Sequence, residues 1–86
     1  MLPDPRLVKF LQKENCNVAF KSTPEQNYMY LKIDYTKAVK PRPGAGLEIW
    51  GNATQVYDKV NRAVISIYPK AEMANQNSQA VTYRIQ

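Results

Sequence analysis

The chain has 86 residues, of which 44% are hydrophobic and 10% aromatic. This length predicts one domain, residues 1–86, and the hydrophobic content excludes a disordered chain. Twelve Lys and Arg against seven Asp and Glu give a net charge of +5. Such a charge is typical of proteins that bind nucleic acid, an anionic membrane or an acidic protein, although many small domains carry it for solubility alone.

The N-terminal residues predict a short amphipathic helix. Asp4 is a good N-cap residue, and Pro5 suits the first helical position. The apolar residues that follow at helical spacing are Leu7, Phe10 and Leu11. We expect the helix to cover residues 5–14 and to end near Asn15.

Alternating apolar and polar residues predict two strands after this helix, at 16–21 and 28–36. The second is the clearest pattern in the chain. Its apolar side carries Met29, Leu31, Ile33 and Tyr35, and its other side carries Tyr28, Tyr30, Lys32 and Asp34. Residues 22–27 contain Pro24 and several residues that favour turns, so the two strands predict a hairpin.

Residues 37–46 interrupt the strand pattern with two prolines and two glycines. This predicts a basic loop, whose cations are Lys37, Lys40 and Arg42. Residues 47–50 then predict a third strand. In it Leu47 and Ile49 would face the core, and Glu48 and Trp50 would face away.

Apolar residues every three or four positions predict the main helix over residues 53–68, which Pro69 would end. Its last turn, 64–68, has a composition that strands also favour. Residues 70–79 are polar and predict a mobile connection. The final strand is predicted at 81–86, where Val81, Tyr83 and Ile85 alternate with polar residues.

This order, α-β-β-β-α-β, predicts an α+β fold: one four-stranded antiparallel or mixed sheet with both helices on one face. The apolar residues predicted to lie under the helices are Val18, Phe20, Met29, Leu31, Ile33, Leu47, Ile49, Val81, Tyr83 and Ile85. The opposite face would carry Ala19, Lys21, Tyr28, Tyr30, Lys32, Trp50, Thr82 and Arg84, with Asp34 and Glu48 as its acids.

Aromatic rings interleaved with cations are typical of surfaces that bind single-stranded DNA or RNA, because unpaired bases stack on rings while Lys and Arg neutralise phosphates. The candidate binding residues are Lys21, Tyr28, Tyr30, Lys32, Lys37, Lys40, Arg42, Trp50 and Arg84. Three structural interpretations compete with nucleic-acid binding. The tyrosines could serve cross-strand packing, and Trp50 could belong to a second core or be buried in a homodimer. The basic loop could be a solvated hairpin tip. A protein–protein interaction module would use the same face.

The composition argues against an enzyme or a metal protein. The chain has no histidine and one cysteine, Cys16, so we expect no catalytic residue, no cofactor and no metal site. A lone cysteine also excludes an intramolecular disulfide, which indicates a reducing compartment such as the cytoplasm. The N-terminus lacks the pattern of a signal peptide, and no segment is apolar enough to predict a membrane span.

Overall fold

The computed structural model describes residues 2–22, 25, 27–39 and 46–86, and from 46 to 53 it describes the backbone alone. Two helices and four strands follow in the order α-β-β-α-β-β. They are α1 Pro5–Lys13, β1 Asn17–Ser22, β2 Met29–Asp34, α2 Gly46–Ile67, β3 Glu72–Gln76 and β4 Ala80–Ile85. One four-stranded antiparallel sheet with two helices confirms the α+β class.

Helix α1 has the predicted ends. The side chain of Asp4 accepts a hydrogen bond from the backbone N–H of Arg6 at 2.8 Å, and Pro5 follows the cap. Past the other end Asn15 has a φ of 62°, a left-handed conformation that asparagine tolerates. The backbone N–H of Cys16 then donates to the Leu11 carbonyl at 2.8 Å, which closes the last turn.

The strands lie in the order β1-β2-β4-β3, and every neighbouring pair is antiparallel. Strands β1 and β2 form the predicted hairpin, with Asn17 opposite Asp34 and Ser22 opposite Met29. Strand β4 inserts between β2 and β3, so β2 and β4 are central and β1 and β3 are the edges.

Both helices pack on one face of the sheet and share one hydrophobic core with it. Helix residues in this core are Leu7, Leu11, Val60 and Val64, and strand residues are Met29, Leu31, Ile33, Val81, Tyr83 and Ile85. The predicted register is confirmed, because Leu31 and Ile33 are fully buried while Tyr30 is 39% exposed. Phe20 was also expected under the helices, but it is 47% exposed because β1 is an edge strand.

The predicted third strand at 47–50 is wrong, since these residues lie within α2. The helix therefore begins at Gly46, earlier than the predicted 53–68. A four-residue alternation fits one turn of a helix as well as it fits a strand, and the longer apolar periodicity that follows extends backwards over it. The segment 64–67, with its strand-like composition, is helical.

The predicted mobile connection at 70–79 is also wrong, because it contains β3. A turn at Asn77 joins β3 to β4: its Oδ1 accepts hydrogen bonds from the N–H groups of Gln79 at 2.8 Å and Ala80 at 2.9 Å. All five side chains of β3 are exposed. The strand is therefore defined by its backbone pairing to β4 and not by an alternation of apolar residues.

Candidate functional site

The side of the sheet away from the helices, here the open face, carries a row of charged and aromatic side chains across all four strands. Lys21 on β1 lies opposite Tyr30 on β2, and Tyr30 lies opposite Arg84 on β4. Arg84 in turn lies opposite Glu72 on β3. Directly opposed residues of antiparallel strands share a face. These four side chains are called the Tyr30 row.

The aromatic part of this row is a contact among three side chains. The rings of Tyr28 and Tyr30 meet edge to face, with centroids 5.4 Å apart and planes at 86°. The Arg84 guanidinium lies 4.7 Å from the centroid of the Tyr28 ring, a cation–π distance. Tyr28 therefore contacts both Tyr30 and Arg84, while Tyr30 is 39% exposed.

Arg84 is held by weak partners and keeps hydrogen-bonding capacity. Its Nη1 lies 3.9 Å from the Glu72 Oε2, a loose ion pair whose carboxylate is well exposed. Its Nε is buried and has no hydrogen-bond partner among the residues that the structure describes. A buried donor without a hydrogen-bond partner is energetically costly. The Arg84 side chain as a whole is 39% exposed.

A second row follows one pleat further along the strands. It consists of Ala19, Lys32, Thr82 and Asn75. Beside it lies a shallow depression of about 200 Å³, lined by Asn17, Val18, Ala19, Lys32 and Asp34. Small-molecule pockets usually enclose about 300–1,000 Å³, so this part of the face suits an extended ligand better than a compact one.

The far end of the open face is marked by Asp34 and Lys37. Hydrogen bonds from Thr36, through its side chain and its backbone N–H, lower the pKa of Asp34, and the charges of Lys32 and Lys37 lower it further. Lys37 lies in the turn after β2, where its carbonyl accepts a hydrogen bond from the Asn15 Nδ2 at 3.2 Å. Four residues of strand, about 13 Å, separate this end from Tyr30.

No family model, curated protein or solved structure matches the chain. Within the described part of the chain, no helix is both long and apolar enough to cross a membrane. The described residues also contain no group of three or more His, Cys, Asp or Glu that could hold a metal ion. The chemistry of the open face is therefore the basis for assigning a function.

The structure brings five of the nine predicted site residues together on the open face: Lys21, Tyr28, Tyr30, Lys32 and Arg84. Lys37 lies at the far end, and Lys40 and Arg42 lie outside the described residues. Trp50 was expected on the open face but lies in α2, as does Glu48. The acid that does lie beside Arg84 is Glu72, which no sequence pattern indicated because β3 shows no alternation.

Proposed function

We propose that the open face binds single-stranded DNA or RNA with little dependence on base sequence. The observation that carries this proposal is the Tyr30 row, in which an exposed ring stands between the cations Lys21 and Arg84 on the side away from the helices. An unpaired base stacked on a ring contributes about 1–3 kcal/mol, and neighbouring cations neutralise phosphates.

Each residue of the face has a distinct role in this proposal. Tyr30 stacks a base, and Tyr28 holds the Arg84 guanidinium near it. A phosphate at Arg84 accepts hydrogen bonds from the guanidinium, and the 39% exposure of the Arg84 side chain supports this role. Lys21 and Lys32 contact the flanking phosphates.

Three further basic residues follow β2 in the sequence. We propose that Lys37, Lys40 and Arg42 contact the backbone of a longer strand. Trp50 has no stacking role in this proposal, because it lies in α2 and not on a strand of the sheet. The protein is proposed to be a cytoplasmic binder without catalytic activity or cofactor.

Fluorescence anisotropy with a labelled single-stranded oligonucleotide tests the stacking role. Tyr30→Ala should weaken binding by about 5- to 150-fold, the equivalent of one stacked base. Tyr30→Phe is the matched control, since it keeps the ring and should bind like the wild type. Duplexes of the same length should bind more weakly, because their bases offer no free ring faces. Equal affinity for single strands and duplexes would contradict the stacking role.

The salt dependence of the same binding tests the phosphate contacts. On an oligonucleotide short enough to contact only Lys21, Lys32 and Arg84, the three cations of the strands predict a slope of log K against log salt of about −2. Lys21→Ala should reduce that slope by about 0.7. Lys9→Ala, an equal charge change on α1 behind the sheet, should leave it nearly unchanged. Absence of oligonucleotide binding at low salt would overturn the proposal.

A protein partner is the second candidate, and the two acids on the open face favour it. Asp34 and Glu72 offset two of the three cations on the strands, which weakens the attraction for a polyanion. Tyr and Arg at the centre of a patch are also typical interface hot spots. A pull-down that resists nuclease and is lost in Tyr30→Ala would support this candidate over nucleic acid.

A further inference from the structure

The two edges of the sheet differ in how well they are protected. The register of β3 on β4 shifts between Met73 and Asn75, an irregularity that discourages pairing with another strand. Strand β1 pairs with β2 without any shift from Asn17 to Ser22. No strand in the described part of the chain pairs with the outer side of β1. Of the two edge strands that the structure describes, β1 is therefore the one better suited to pair with a further strand.

The side chains of β1 suit a second strand of the same kind. Phe20 is 47% exposed and Val18 is partly buried, and both lie on the helix side of the sheet. The strand contains no proline, and its one charged side chain is Lys21. When two copies of such a strand pair, the aromatic residue of one copy can lie opposite the β-branched residue of the other. Cross-strand pairs of this kind are favourable.

We propose that the protein forms a homodimer in which β1 pairs antiparallel with the partner's β1 about a two-fold axis at Ala19. In this register Phe20 lies opposite the partner's Val18, and the pair occurs twice by symmetry. Lys21 lies opposite the partner's Asn17, so like charges do not oppose each other. A register centred on Lys21 would place the two lysines together, and one centred on Phe20 would leave Val18 opposite a serine.

This dimer has one continuous sheet of eight strands. The two-fold axis runs perpendicular to the sheet, so both helix layers stay on one side and both open faces on the other. The two β2 strands, which carry Tyr30, are then separated by three inter-strand spacings, or about 14 Å. The interface uses the edge and helix side of β1, so dimer formation does not depend on nucleic-acid binding.

Dimerisation and nucleic-acid binding can be distinguished by their salt dependence. Each chain carries a net charge of +5, and the two chains therefore repel each other at low ionic strength. Added salt screens this repulsion, so dimerisation should strengthen with salt. Binding to an oligonucleotide has the opposite salt dependence.

Analytical ultracentrifugation of the purified full chain without nucleic acid tests the proposal. The wild type should sediment as a dimer, increasingly so as salt and concentration rise, and Phe20→Glu should sediment as a monomer. Met73→Glu is the matched control: Met73 is also 47% exposed but lies on the irregular edge, so this variant should remain dimeric. A monomeric wild type at millimolar concentration, or equal dissociation of both variants, would overturn the proposal.

A cross-link tests the register. Ala19→Cys in a Cys16→Ala background places two thiols on the proposed two-fold axis, so mild oxidation should give a disulfide-linked dimer. Met73→Cys in the same background should stay uncross-linked. A dimer in sedimentation that Ala19→Cys does not cross-link would show a different interface and would contradict the β1 pairing.

Discussion

Tyr28 and Tyr30 lie on the same side of the sheet, yet their surroundings differ. The ring of Tyr28 carries the Arg84 guanidinium, whereas Tyr30 is 39% exposed. A ring that already holds a cation has less surface for a base, so the two residues are not equivalent ligand contacts. Strand alternation places both on one face, but the cross-strand position of Arg84 decides which ring is available.

Glu72 is expected to oppose nucleic-acid binding, because its carboxylate occupies the neighbourhood of Arg84 that a phosphate would take. Glu72→Gln should therefore strengthen oligonucleotide binding by up to about 5-fold, the range of an exposed ion pair. Glu14→Gln is the matched control, since Glu14 forms a similar loose pair, 3.8 Å from Lys59, on the helix side. Weaker binding by Glu72→Gln than by the control would contradict the role of Arg84.

Tyr83 should make the fold sensitive to alkali. Burial raises the pKa of Tyr83 above its ordinary value of 10.0, and its hydroxyl donates to the Asn61 Oδ1 at 2.7 Å. Above that pH the unfolded chain loses the proton while the folded chain retains it. The stability that is fully present below pH 10.0 is therefore lost as pH rises.

Tyr83→Phe tests this linkage by urea unfolding at neutral and alkaline pH. The variant should be about 1 kcal/mol less stable at neutral pH, because it loses the hydrogen bond to Asn61. Its stability should then fall less steeply than that of the wild type above pH 10.0. Parallel decline of the two proteins would contradict the assignment of the alkaline sensitivity to Tyr83.

At the scale of elements, α1 depends on docking, since nine residues are too few for a stable isolated helix. Leu11→Ala removes a fully buried side chain between α1 and the sheet and should cost about 2–5 kcal/mol in urea unfolding. Leu2→Ala, the same change at a residue 76% exposed, should stay within about 0.5 kcal/mol of the wild type. Equal effects of the two changes would show that α1 is not docked.

Elements with strong local signals could be predicted from the sequence. Helix α1 has its cap at Asp4 and its stop at Asn15, and β2 alternates over its full length. The start of α2 could not be predicted, because residues 47–50 alternate over too short a span to distinguish a strand from a helical turn. Gly51 also hides this part of the helix, since glycine inside a helix costs about 1 kcal/mol and normally indicates a break.

Strand β3 shows the other limit of sequence reasoning. Its side chains are all exposed, so no apolar pattern can indicate it, and pairing with β4 alone defines it. Asn77 was a usable signal, because asparagine followed by Ser78 and Gln79 is typical turn composition before a clear strand. A regular hairpin from this turn would pair Arg84 with Met73, and the register shift between Met73 and Asn75 is what brings Glu72 opposite Arg84.

At the scale of the molecule, the sheet separates two chemically different sides. One side is filled by the helices and the core, and the other presents the Tyr30 row with Lys32 in the next row. The principal residues of the open face, Tyr30, Lys32 and Arg84, lie on the two central strands. Central strands are paired on both sides, so the proposed binding surface lies on the most firmly held part of the fold.

Backbone amide chemical-shift mapping with a single-stranded oligonucleotide at low salt tests the central claim most directly. Binding on the open face predicts the largest changes along β2 and β4 near Tyr30 and Arg84, with smaller changes at Lys21. Residues of α1 and the buried positions Val60 and Val64 in α2 should change little. Changes concentrated on the helices, or none at a saturating oligonucleotide concentration, would contradict the claim that this face binds single strands.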